Sequence, residues 1–424
     1  MNEILDDTEN ILPVEAMKDV TPKKPTKRQK VAVLGRGTAG ILSAMMLRKW
    51  GNDYVDIEVF YNPEIKEVSV GEGSQLSLPA LLYLCQNWTF KDFVPLLNAT
   101  LKCGIQYYGW GTKGDYFHSF PPPGYGMHFS ATQLQNVLMD TLIQQNVKFT
   151  EADIGHHSDV DADYIMDARG GPHNLTENTL YEPLKNTVTN AAVVAQCDWD
   201  APLYNYTIAD AQPNGWVFGI PLQNRISFGY CYNSDISKED DIRDELEKFV
   251  GVTHEQLRIK ESTHLHFNSY RRKVNWLNNR VAYVGNSSFF AEPLEATAIE
   301  FQTHIIERTI DLWSRPAGDD KIEYEKELNG WHEQWAKEAE AIIMCHYAAE
   351  NPRYPTEFWK EGQRKGQQSL LNCNRWNSYA KAGKDYEHGK IPPDQLYGMT
   401  FGGGWNPFSF KQNIEGLGLY SDYE

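Results

Sequence analysis

The chain has 424 residues, 41% of them hydrophobic, with 40 basic against 57 acidic side chains and a formal net charge of −17. That length supports a large core, read here as two closely joined subdomains. The acidic balance argues against sequence-independent attraction to nucleic acid or anionic lipid, and no run of about 18 to 20 apolar residues could span a bilayer. The N-terminus lacks the basic start and apolar stretch of a secretory signal, so a cytoplasmic protein with neither nucleic acid nor membrane as partner is expected. Six cysteines (Cys85, Cys103, Cys197, Cys231, Cys345 and Cys373) show no CxxC spacing, which suggests neither a metal site nor a disulfide framework.

Residues 1–28 turn from acidic to basic without periodicity and read as a disordered tail. Val31–Leu34 then reads as a short buried strand, Thr38–Trp50 as a helix and Asp56–Tyr61 as a second strand, a βαβ opening. Further strands are expected at Tyr164–Ala168, Val188–Ala195, Arg225–Cys231 and Arg280–Val284, and helices at Ala131–Gln145, Asp240–Val250 and Tyr324–Tyr347. The pattern predicts an α/β fold: a Rossmann-like dinucleotide-binding core with a mixed, substrate-facing sheet over residues 29–320, joined to a mainly helical module over 321–424. The Gly- and aromatic-rich segment MTFGGGWNPFSF near the end reads as irregular.

Between the first strand and helix lies Gly35-Arg36-Gly37-Thr38-Ala39-Gly40. In this setting Gly35 permits a tight turn, Gly37 lets the backbone approach a pyrophosphate, Gly40 allows close helix packing, and the helix N-terminus at Thr38 and Ala39 favours negative charge. The acidic residue that commonly holds the ribose hydroxyl is not at the end of the second strand, which reads Phe60-Tyr61-Asn62. No second fingerprint follows for a nicotinamide nucleotide. If the bound nucleotide is FAD, its electrons must come from a separate protein.

Several further motifs stand in order: VSVGEGS (Val68–Ser74), LKCGIQYYGW (Leu101–Trp110), WVFGIP (Trp216–Pro221) and SSFFAEPLEATAIEF (Ser287–Phe301). With VAVLGRGTAG they resemble flavin-dependent halogenases of the tryptophan-halogenase family over most of residues 30–360, and in particular its short, cyanophage-like members. The resemblance implies FAD, supplied as FADH2 by a separate NAD(P)H-dependent flavin reductase, together with O2 and a halide ion. Hypohalous acid would pass through an internal tunnel to a small aromatic substrate; homo-oligomerisation stays open.

Residue by residue, the resemblance places the catalytic lysine at Lys102 and the essential carboxylate at Glu295. A lysine in apolar surroundings can polarise hypohalous acid or, with its pKa lowered by burial, form a haloamine. A carboxylate can stabilise the cationic ring intermediate and take its proton. Trp216 and Phe218, two apart on an extended segment, project to one face; they stand where the family's WxWxIP box has two tryptophans barring substrate from the flavin. Thr297 and Ala298 match the halide-binding amides, with Ala in place of the usual Gly, and Ala296 replaces a common serine. Ile299 would lie against the flavin, and Gly73 and Asp167 match other flavin-site positions. Glu292, ahead of a proline, reads as structural. Substrate contacts are expected from His128, Phe129 and Trp405. The chain is shorter than typical tryptophan-specific members, so a more open substrate pocket is expected.

Overall fold

The computed structural model describes residues 28–51, 54–65, 72–121, 124–172, 174–175, 177–199, 202, 204–251, 264–392, 395, 401–402 and 404–419. The expected tail up to residue 27 and residues 68–71 of the VSVGEGS segment lie outside them. Arg28, assigned to the tail from sequence, already belongs to the fold, pairing with Asp56 at 2.9 Å.

Gln29–Leu34, Thr38–Gly51 and Val55–Tyr61 form the expected βαβ unit. It lies inside a six-stranded sheet whose order is Trp276–Leu277, Val281–Tyr283, Tyr164–Asp167, Gln29–Leu34, Val55–Tyr61 and Lys148–Glu151. All pairings are parallel except the first, a hairpin. Val31, Val33 and Leu34 are almost wholly buried, as a central parallel strand covered on both faces requires.

A second sheet of seven strands runs in the order His264–His266, Ala191–Asp198, Arg225–Tyr232, Gly215–Pro221, Thr207–Gln212, Gly104–Trp110 and Gly114–Ser119. Its Gly215–Pro221 strand is buried throughout. Trp216, Phe218 and Ile220 face the main core, whereas Val217 joins a smaller cluster with Ile242 and Leu246 of the helix Glu239–Val250. The two large rings therefore share a face, as the period of two dictates. Gly229 on the neighbouring strand makes room for one of them: a Cβ there would lie 2.0 Å from the Phe218 ring.

A three-stranded sheet of Glu72–Gly73, Gly126–Phe129 and Thr100–Lys102 bridges the two large sheets. The C-terminal part is helical, beginning with the 30-residue helix Asp319–Ala348, whose last turns are buried without interruption from Glu338 onward. The main hydrophobic cluster includes Val31 and Leu419, so the helical module shares the core of the sheets. One expectation needs correction. The MTFGGGWNPFSF segment is not wholly irregular, because its last four residues open the helix Pro407–Leu417. Asn406 caps it by accepting from the Ser409 amide at 3.0 Å, and Pro407 occupies the first helical position, a start signal that the glycines obscured.

Candidate active site: two chambers with a common wall

The first chamber is a cavity of about 1100 Å³ at the C-terminal edge of the six-stranded sheet. Gly35, Gly37, Thr38 and Ala39 line it, with Asp167, Ala298 and Ile299. Gly35 has φ +105°, and a Cβ there would meet the Ala168 carbonyl at 2.6 Å; one on Gly40 would lie 1.9 Å from the Gly35 carbonyl. A Cβ on Gly37, by contrast, would meet nothing within 4 Å, because that face opens into the cavity. The three glycines thus divide turn, approach and packing as a dinucleotide cradle requires. The Asp167 carboxylate accepts from His157 at 2.8 Å and Arg169 at 2.7 Å, and those partners outweigh burial to hold its pKa near 2. Where an acid would commonly end the second strand, the cavity wall carries Tyr61 and Asn62, with the Arg36 guanidinium 4.8 Å from the Tyr61 ring centre.

The second chamber, about 280 Å³, shares Glu72, Phe290, Ala298 and Ile299 with the first. Trp216 and Phe218, whose ring centres are 6.2 Å apart, line it together with Lys102, Glu295, Ala296 and Thr297. At the common wall the helix Thr297–Ser314 begins without a side-chain cap. Its first amides, including those of Thr297 and Ala298, are the kind of unsatisfied donors that attract an anion. Ala298 lies in the helix, so its methyl is conformationally acceptable and faces the cavity.

Lys102 is 1% exposed. Among the described residues its ammonium has no hydrogen-bond partner; the Phe120 ring lies 5.5 Å away. Burial pushes its pKa down to about 8, against an upward pull from Glu295. Gly73 lies opposite, where a Cβ would be 3.3 Å from the amine. Thr100 orders the strand behind it, donating to the Pro221 carbonyl at 2.6 Å and so accepting from His128 Nδ1 at 3.0 Å. Burial and the adjacent Lys102 hold the pKa of His128 far down, so the ring is neutral, and its other nitrogen accepts from Thr207 Oγ1 at 2.8 Å.

Glu295 has φ +67° and Ala296 φ +52°, two consecutive non-glycine residues in the left-handed region. Such a turn is strained and persists only where its surroundings enforce it. Gln75 holds the Glu295 carbonyl at 2.8 Å. The carboxylate is surrounded by donors: Tyr107 hydroxyl and His118 Nδ1 (3.3 Å) reach Oε1, and the Trp405 indole N–H reaches Oε2 at 2.8 Å. His346 Nε2 adds a bent ion-pair contact to Oε1 at 3.3 Å. Burial alone would raise this carboxyl, but His118 and His346 outweigh it and hold the pKa far below the usual range.

Lys102, Glu295, Trp216, Phe218, Thr297, Ala298, Ile299 and Gly73 thus converge on one chamber. Trp405 joins them through Glu295. His128 and Phe129 line neither cavity: both are buried, and the ring nitrogens of His128 are occupied by threonines. Their strand Gly126–Phe129 pairs with Thr100–Lys102, which carries the lysine. Glu292 is more than a turn residue; its carboxyl lines the second chamber and accepts from Thr189 and, at 2.7 Å, from Tyr347. Around Glu295, Trp405, His118 and His346 pack together, all three buried. Sequence reasoning missed Tyr107, His118 and His346. The inward alternation of Tyr116 and His118 on one strand, and a lone histidine inside the apolar run AIIMCHYAA, were the available signals.

Fold and chambers together define a dinucleotide-binding α/β enzyme with an enclosed second reaction space. A family profile described as tryptophan halogenase matches residues 30–153 and 124–390, and the chain belongs to that family of flavin-dependent oxidoreductases. It is 24% identical to tryptophan 6-halogenase SttH of Streptomyces toxytricini, over 88% of this chain and 89% of that protein. Against tryptophan 7-halogenase RebH of Lentzea aerocolonigenes the identity is 21%, over 93% and 91%. Among solved structures, the flavin-dependent halogenase BrvH from Brevundimonas sp. BAL3 superposes with a TM-score of 0.73 at 19% identity, covering 92% and 90% of the two chains. Among the described residues no helix is long and apolar enough to cross a membrane.

Proposed function

We propose that the protein halogenates an electron-rich aromatic compound by passing hypohalous acid from the larger chamber through the smaller one to Lys102. FAD, reduced by a separate flavin reductase, would supply that oxidant from O2 and halide; the Gly35–Gly40 cradle, Asp167 and Ile299 would hold it. Halide would rest on the amides of Thr297 and Ala298. Trp216 and Phe218 keep the organic substrate from the flavin, while the Lys102 ammonium donates to the hypohalous acid and directs its halogen toward the ring. Glu295 faces the positive charge that forms there and accepts the ring proton. Trp405 and His118, packed around that carboxylate, hold it in place.

The observation that carries this reading is the position of Lys102: buried, without a hydrogen-bond partner among the described residues, and lining an apolar chamber that shares Glu72, Phe290, Ala298 and Ile299 with the nucleotide cavity. A structural lysine would be paired or would reach solvent. The test is mass spectrometry of products from aromatic compounds supplied with a flavin reductase, NADH, FAD, O2 and chloride, bromide or iodide. Halogenated product is expected from the unaltered protein and none from Lys102→Ala, with FAD binding retained. Hydroxylated product would instead assign a monooxygenase.

A further inference from the structure

His346 lies near the end of the long helix Asp319–Ala348, 1% exposed. Its Nδ1 is 3.0 Å from the Ile342 carbonyl and 3.2 Å from that of Ile343. Carbonyl oxygens only accept, so Nδ1 carries a hydrogen. Cys345 offers it no alternative, since its thiol donates to the same Ile342 carbonyl at 3.0 Å. The other nitrogen, Nε2, lies 3.3 Å from Glu295 Oε1, close enough for strong electrostatic interaction but outside hydrogen-bond geometry. A bare lone pair held there against a carboxylate would be repelled; a second N–H would be attracted. The remaining neighbours do not supply a competing anion. Tyr107 stacks on the ring at 4.9 Å and donates to the same carboxylate, while Trp110 and Trp405 meet it edge-on. His118 shares Oε1, Lys102 lies across the chamber, and Glu292 acts on His346 only at longer range and is itself occupied by Thr189 and Tyr347.

We infer that His346 is an imidazolium, protonated on both ring nitrogens, that fixes Glu295 as a permanently ionised carboxylate and so serves as a positioning residue of the reaction chamber. The inference rests on the role proposed above for Glu295. It also accounts for Ala296: the donor that a serine hydroxyl would offer the carboxylate comes here from a helix instead. The electrostatics agree in direction: burial would lower the His346 pKa, and the ionised Glu295 beside it pulls it up.

In His346→Gln the cation is lost. Burial is then opposed by His118, Tyr107 and Trp405 without His346, and the Glu295 pKa rises by about one to three units, the usual effect of removing an adjacent opposite charge. Protonation silences Glu295, so the acid limb of the halogenation pH profile should move up by that amount. A merely structural role would instead scale the profile without moving it, and a parallel profile overturns the inference. A neutron crystal structure of the unaltered protein provides the second readout and needs neither turnover nor a stable variant. Deuterium on both ring nitrogens of His346 near neutral pH is expected; an undeuterated Nδ1 or Nε2 overturns the proposal. If no aromatic compound is halogenated, the functional reading fails while the neutron result still decides the charge of His346.

Discussion

Lys102 carries a conflict that two measurements expose. Its folded pKa of about 8 lies below the ordinary lysine value of 10.5, so between these values the unfolded chain binds more protons than the folded one. Stability should therefore rise with pH across this window, and the buried charge costs stability below it. Lys102→Met, similar in length and uncharged, should raise the melting temperature by a few degrees at pH 7 while abolishing halogenation, as calorimetry and product analysis would record. The pH dependence of turnover separates the two chemical roles of the amine. If the ammonium donates to hypohalous acid, as proposed, the halogenation rate falls as pH climbs through about 8; a rate that increases through the same pH would assign the neutral amine as nucleophile.

At the scale of single elements, the site depends on how one turn and one helix cap are held. The left-handed pair Glu295 and Ala296 directs a carboxylate into the chamber and immediately starts the helix whose uncapped N-terminus forms the common wall. Trp405, which donates to that carboxylate, directly precedes the Asn406 cap of another helix. Asn406→Ala removes the hydrogen bond to Ser409 and should cost about 1 kcal/mol in denaturant titrations. Because the first turn positions Trp405, halogenation should fall by more than that loss of stability alone explains. An unchanged turnover rate in a destabilised variant would show that Trp405 is positioned by other contacts.

For the whole molecule, the division into two chambers makes cofactor binding and halogen transfer separable. A side chain at Gly37 enters empty space in the first chamber without touching the fold. Gly37→Val should therefore leave the melting temperature of the cofactor-free protein nearly unchanged and weaken FAD binding at least about tenfold in a fluorescence titration, because the backbone could no longer approach the pyrophosphate. Tight FAD binding by this variant would remove the Gly37 cradle from the reading. Lys102→Ala acts on the other chamber and should do the opposite, losing halogen transfer with FAD affinity intact.

Much of this was legible in the sequence because it depends on local periodicity. The βαβ unit, the roles of Gly35, Gly37 and Gly40, the shared face of Trp216 and Phe218, and most of the long helices follow from neighbours a few residues apart. Lys102 and Glu295 were legible for another reason: each sits in a motif that resembles those of a known family. Tertiary structure alone decided what surrounds them. The donors on Glu295 come from positions 107, 118, 346 and 405, on four different segments, and no spacing rule links residues so distant in the chain. The partners of His128, beside a phenylalanine in a promising motif, were hidden for the same reason, since the threonines that occupy both its nitrogens lie 28 and 79 residues away. Sequence determines which groups can do chemistry; the meeting of sheets and helices determines which of them are dry, which are charged, and which face one another.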